Sequence, residues 1–187
     1  MINALTYDLP LSGVALVIGA LYFLGHLPGV IWPEAFGRWV KSFPRNYTAG
    51  VVLTFVAGVW FCWLTATTDL GEMSGMRHIL VTAWAVGAVL LIIFVPTFLA
   101  VRGLAFLLLL GTEVILSSAF LVDNDAKYLL TVLAYVWAVV GMILVASPFY
   151  LRDALEVALK TPQRCRILSA AGVAFGAVLL LLGAFVY

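Results

Sequence analysis

The amino-acid sequence predicts an all-α fold, a polytopic membrane helix bundle. About six transmembrane helices are expected, with two short interfacial helices on the cytoplasmic side. Three observations predict this. Hydrophobic residues make up 65% of the chain and charged residues 10%, whereas an ordinary soluble domain carries about 25% charged residues. The apolar residues collect in runs of the roughly 20 needed to cross a bilayer, and mean hydropathy is +1.15. The basic residues gather in alternate loops between those runs.

The runs fall near residues 11–32, 47–66, 78–99, 103–122, 128–150 and 167–187, and the 187 residues read as a single transmembrane domain. The boundary between the third and fourth runs is the least marked, because only Pro96 and Arg102 signal a reversal. Joined, the two would make a run of about 45 residues, too long for one span, so a tight turn is expected there. Arg38, Lys41 and Arg45 lie between the first and second runs. Arg102 follows the third, and Arg152, Lys160, Arg164 and Arg166 lie between the fifth and sixth. The alternate loops hold only Arg77 and Lys127, beside Asp69, Glu72, Asp123 and Asp125. The positive-inside rule places the first set in the cytoplasm, and so both termini on the outer, periplasmic side of the plasma (inner) membrane. No Lys or Arg precedes the first apolar run and no small-residue cleavage pattern follows it, so no cleaved leader is expected.

Within 33–43, Phe36, Trp39, Val40 and Phe43 recur at i, i+3, i+4 and i+7, with Arg38 and Lys41 opposite. Within 151–160, Leu151, Ala154, Leu155, Ala158 and Leu159 form an apolar stripe, and Arg152–Glu156 and Glu156–Lys160 are spaced for ion pairs. Both patterns predict helices lying on the membrane with one face in lipid. Gly172 with Gly176, and Gly25 with Gly29, are pairs that let helix backbones approach closely. They suit internal packing first, and contact with a second copy or a partner membrane subunit second. Pro28, Pro96 and Pro148 each stand near the basic end of an odd-numbered run, followed by aromatics. Three equivalent hairpins around a pseudo-threefold axis would show this pattern, although proline is also an ordinary helix terminator.

Glu113 is the foremost candidate site residue. Counted from the start of its run it lies about 15 Å deep, near the midplane. An ionisable group at that depth is costly, and reads as functional by default. Ser117 is one turn further along the same face. Tyr22 and His26 are one turn apart in the first run, at depths of about 16 and 22 Å. A Tyr22–His26–Glu113 cluster would form a proton relay or an ion site if the first and fourth helices were neighbours. The alternative for His26 is bonding to backbone groups loosened by Pro28. Trp60 reads as part of an interfacial aromatic belt. In Asp123-Asn124-Asp125, Asp125 is expected to cap the next helix.

Several functions lack any basis in the sequence. The two histidines, His26 and His78, differ in depth by about 20 Å and cannot share one haem iron. No metal site built on several His or Cys ligands is available, no cofactor is indicated, and Cys62 and Cys165 are expected to be free thiols. There is no P-loop, HExxH or GxSxG, and no catalytic residue stands out. Glu34, Asp153 and Glu156 lie at headgroup depth without partners for lipid chemistry. Basic residues that cluster at headgroups give no nucleic-acid surface. The reading that remains is a small-solute or ion transporter or channel using a buried carboxylate. Its competitor is a non-catalytic accessory or scaffold subunit of a larger membrane complex.

Overall fold

The structure, a computed structural model, describes residues 7, 9–120 and 122–187. The expectation about a leader concerns residues mostly outside that set. Eight α-helices follow one another: α1 (Leu11–Ile31), α2 (Pro33–Ser42), α3 (Tyr47–Thr67), α4 (Arg77–Phe94), α5 (Leu99–Ala119), α6 (Lys127–Ala146), α7 (Phe149–Ala158) and α8 (Pro162–Phe185). Short 3-10 turns occupy Phe43–Arg45 and Gly71–Met76, and no strand occurs among the described residues. Six of the helices are long and apolar enough to cross a membrane. The chain is therefore a multi-pass integral membrane protein. The short helices α2 and α7 are the two amphipathic segments, and they touch each other.

Local chemistry sets several helix starts. Pro33 occupies the first turn of α2 and Pro162 that of α8, where a missing N–H costs nothing. Asn46 Oδ1 accepts from Ala49 N at 3.0 Å to cap α3, and Thr161 Oγ1 accepts from Arg164 N at 3.3 Å to cap α8. The reversal between α4 and α5 falls earlier than expected, at residues 95–98. Phe98 takes a left-handed conformation, φ 56°, and α5 begins at Leu99, so Arg102 lies inside the helix. That conformation costs a non-glycine residue roughly 1–2 kcal/mol. The Phe98 ring compensates by packing on the cluster of Val101, Ala105 and Leu144, with the Arg152 guanidinium 5.9 Å from its centre.

Two local expectations are corrected. Arg152 pairs with its neighbour Asp153 at 2.6 Å rather than with Glu156. The turn before α6 is made by Asn124, whose Oδ1 accepts from Ala126 N at 2.9 Å, while Asp125 supplies no side-chain cap. The Asn124 amide also donates to Val186 O at 3.0 Å, tying this loop to the end of α8.

Helix neighbours do not follow chain order. α1 lies along α8, α5 packs between α3 and α6, and α4 packs on α3. The main apolar core joins α1, α5, α6 and α8 through Leu11, Ala15 and Ile18, Ile115, Leu130 and Ala134, and Leu179. Helices joined through the basic loops (α1 with α3, α4 with α5, α6 with α8) make no extensive contact. A threefold set of such hairpins is thus not formed; Pro96 and Pro148 lie just beyond the ends of α4 and α6, whereas Pro28 lies inside the last turn of α1.

The α1–α8 seam depends on small residues. A Cβ on Gly176 would lie 2.5 Å from Phe23 N, one on Gly19 would lie 2.9 Å from Leu180 N, and one on Gly172 would strike the His26 ring. Gly29 packs against Ser169. Gly25 is different: open space surrounds its Cβ direction, so it takes no part in the seam.

Candidate functional site

α3 forms the floor of a cleft whose walls are α4 and α5. The two walls are joined by a short turn at the basic face yet scarcely touch. The cleft encloses about 760 Å³ and is open on one side, which falls within the roughly 300–1,000 Å³ of small-molecule sites. Its surface is almost wholly apolar. Ala57, Gly58 and Phe61 come from α3, Trp84, Gly87 and Leu91 from α4, and Phe106, Leu110 and Glu113 from α5. Thr54 marks its end toward the basic face and Thr68 its opposite end. The hydroxyls of both threonines are buried, with no hydrogen-bond partner among the described residues.

Glu113 is the one ionisable side chain in this lining. Positions 106, 110, 113 and 117 fall on one helical face, and α5 turns that face toward α3 and α4. The Glu113 side chain is half-buried, and its Oε1 accepts from Ser117 Oγ at 3.0 Å. No basic side chain pairs with it; the one ion pair among the described residues is Arg152–Asp153. Because α5 starts at Leu99, Glu113 sits about 21 Å from the basic end of its helix and about 9 Å from the other end. It is therefore closer to the face opposite the basic loops than the sequence placed it.

Tyr7 and Trp60 meet near this end of the cleft without lining it, and neither was legible as a site residue. Tyr7 is buried, its hydroxyl accepts from Trp60 Nε1 at 2.6 Å, and its ring lies 5.9 Å from that of Trp63. The segment before α1 thus folds back on α3. Burial pushes the Tyr7 phenol above the ordinary tyrosine value. The Trp60 bond opposes that shift, and the nearby Glu113 charge adds to it. The phenol is consequently neutral at physiological pH. Its stabilising contribution is present there and is lost only as strong alkali ionises it. Trp60 had been expected in the interfacial belt. Its partner is 53 residues away in sequence, and no local pattern signals such a contact. Tyr7→Phe leaves the half-buried indole N–H without an acceptor, and should lower stability by about 1–3 kcal/mol. Denaturant unfolding in detergent, followed by tryptophan emission, measures this.

Tyr22 and His26 lie elsewhere. The Tyr22 hydroxyl accepts from Trp137 Nε1 at 3.0 Å, and its ring meets Phe175 edge-on and stacks on His26. These partners belong to α6 and α8, on the far side of α5 from the cleft. His26 Nδ1 donates to the Tyr22 carbonyl at 2.8 Å. The carbonyl freed by Pro28 would be that of Leu24, so His26 does not serve it. The expected Tyr22–His26–Glu113 cluster is therefore not assembled: α1 does approach α5, but on the face that carries Ile115 and Ala119. Ser117 alone of the named companions stays with Glu113. Thr112, next to Glu113, points the other way and bonds the carbonyls of Leu108 and Ala134.

No family model, no curated protein and no solved structure matches this chain. The chemistry of the site is accordingly read from its own geometry. Among the described residues no three His, Cys, Asp or Glu side chains converge as a metal site. Cys62 and Cys165 are both free. A lone carboxylate in an apolar, side-open cleft can bind and orient a molecule.

Proposed function

We propose that this protein is a small-solute transporter whose substrate binds in the α3–α4–α5 cleft against Glu113. The observation that carries the reading is the contact between a ligand-sized cavity and an ionisable side chain with no charged partner among the described residues. An ionisable side chain within a membrane span reads as a functional-site hypothesis by default. The weak attachment of α4 supports the same reading. None of its residues is buried, and its principal partner is α3. Elements with so few buried contacts open at low cost, and α4 is the wall whose movement would change access. With the basic loops in the cytoplasm of a plasma membrane, Glu113 lies toward the outer side and both chain ends are outside.

The decisive variant is Gly87→Trp. Gly87 lines the cleft, and nothing lies within 4 Å of where its Cβ would be. A large side chain there fills the cavity without disturbing α3. Proteoliposomes holding an internal pH dye and given ethidium outside read both proton and cation movement. The wild-type protein should exceed empty liposomes, and Gly87→Trp should return the signal to that background. A Gly87→Trp protein that transports at the wild-type rate removes the cleft from the pathway.

The accessory-subunit reading draws on the same α4, whose exposed apolar surface a partner chain would cover. Purification in a gentle detergent followed by mass spectrometry separates the two. Stoichiometric recovery of another membrane protein favours the subunit, and a chain running alone favours the transporter.

A further inference from the structure

We infer that the substrate is a single-chain amphiphile with a cationic head, which enters sideways from the bilayer between α4 and α5. This rests on the cleft being the binding site and names what it binds. Three observations lead to it. First, the lining is a continuous apolar surface, with one carboxylate near one end. A hydrophilic solute or a hydrated ion would lose its water along such a wall without replacement, whereas an acyl or alkyl chain loses nothing. Second, the cleft is long. Thr54 and Thr68 mark its ends on one helix, and fourteen residues at 1.5 Å each separate them by about 21 Å. That exceeds the roughly 15 Å of one leaflet of a bilayer core about 30 Å thick, so an extended chain fits along it. Third, its open side faces the lipid, because α4 and α5 do not close on each other and α4 exposes an apolar surface that includes Ile79, Val86, Val89 and Ile93.

The position of Glu113 fixes the direction of the molecule. It lies about 9 Å from the end of α5 that faces away from the basic loops, while the cleft continues past Ala57 and Leu91 toward Thr54. The head therefore sits at Glu113 and the tail runs toward the basic face. One carboxylate oxygen takes the Ser117 hydroxyl proton, and the other has no donor among the described residues. An ammonium supplies both the missing donor and the missing counter-charge, in an environment where such a bond is strong. An acid head would place two carboxylates together, which is unfavourable at any depth.

Photolabelling in nanodiscs of zwitterionic lipid tests the inference directly. Two probes are needed, a long-chain primary amine and the chain-matched fatty acid, each made with a diazirine either beside the head or at the tail. The amine is expected to label α5 near Glu113 from the head position, and Ala57, Leu91 or Phe106 from the tail position. Glu113→Gln should lower amine labelling at least tenfold and should not lower the weak acid labelling. Gly87→Trp should remove both. Equal labelling by amine and acid, unaltered by Glu113→Gln, would show an unselective lipid-filled groove and overturn the inference. So would tail labels confined to the lipid-facing side of α4. Labelling as expected without any movement of the amine from one leaflet to the other would instead overturn transport and leave the ligand class standing. Flux without tail labelling would do the reverse.

Discussion

Glu113→Gln should abolish substrate-driven flux while leaving the bundle as stable as the wild type. The substitution keeps the shape of the side chain, and its amide oxygen still accepts from Ser117 Oγ, 3.0 Å away in the native protein. No ion pair is broken, because none is present at Glu113. The side chain is half-buried rather than enclosed, so the unfolding midpoint should move by less than about 0.5 kcal/mol, as for substitutions away from packed features. What is lost is the charge. A hydrogen bond to a charged partner contributes about 1.5–3 kcal/mol, and every 1.4 kcal/mol is a factor of ten in affinity. Binding should therefore weaken by about ten- to a hundredfold, and transport coupled to it should fall to the level of empty proteoliposomes. Initial rates measured beside detergent unfolding curves give both halves of the test. Normal flux in a well-folded Glu113→Gln protein would exclude the carboxylate from the mechanism.

Gly176→Val should be the most damaging single change in the chain. A Cβ at this position falls 2.5 Å from Phe23 N and 2.8 Å from Gly19 O, both backbone atoms of α1. Flexible side chains can rotate away from an intruder, but backbone cannot, so α1 and α8 would have to move apart along their whole seam. Overpacking of this kind costs typically 1–3 kcal/mol and occasionally more. Here the displaced pair carries Ala15, Ile18 and Leu179 of the main core, which puts the expected loss at or above about 3 kcal/mol. Gly25→Ala is the matched control. It is in the same helix as Phe23 but meets nothing within 4 Å, and alanine is the better helix former by about 1 kcal/mol. Its stability should equal or slightly exceed that of the wild type. Denaturation of the two variants in detergent reads the contrast. Equal stabilities would mean that the seam is not what holds α1 in place.

Much of this architecture follows from local sequence, for a definite reason. The number of spans depends on apolar length, and the two surface helices on a repeat near 3.6 residues with basic residues opposite. Both are properties of contiguous residues, as are Pro33 and Pro162 at helix starts and Asn46 and Thr161 at caps. Glu113 could be singled out from depth alone, since a carboxylate in an apolar run is costly wherever the neighbouring helices stand. The start of α5 at Leu99 was not visible, because a left-handed Phe98 carries no signature comparable to glycine. That shift of four residues moved Glu113 away from the midplane.

Tertiary structure alone decided which helices touch, and hence what Glu113 can do. In a bilayer every span is equally apolar outside, so the choice of neighbour rests on close-fitting small residues and scattered polar contacts rather than on hydrophobicity. Gly176 meeting Phe23 and Tyr7 meeting Trp60 are pairings between residues remote in sequence. Such pairings place Tyr22 and His26 against α6 and α8, and turn Glu113 toward α3 and α4, where α4 stands off to leave the cleft. The composition of each segment determined that it crosses the membrane. The fit between segments, which no one segment encodes, set a half-buried acid in the wall of a cleft.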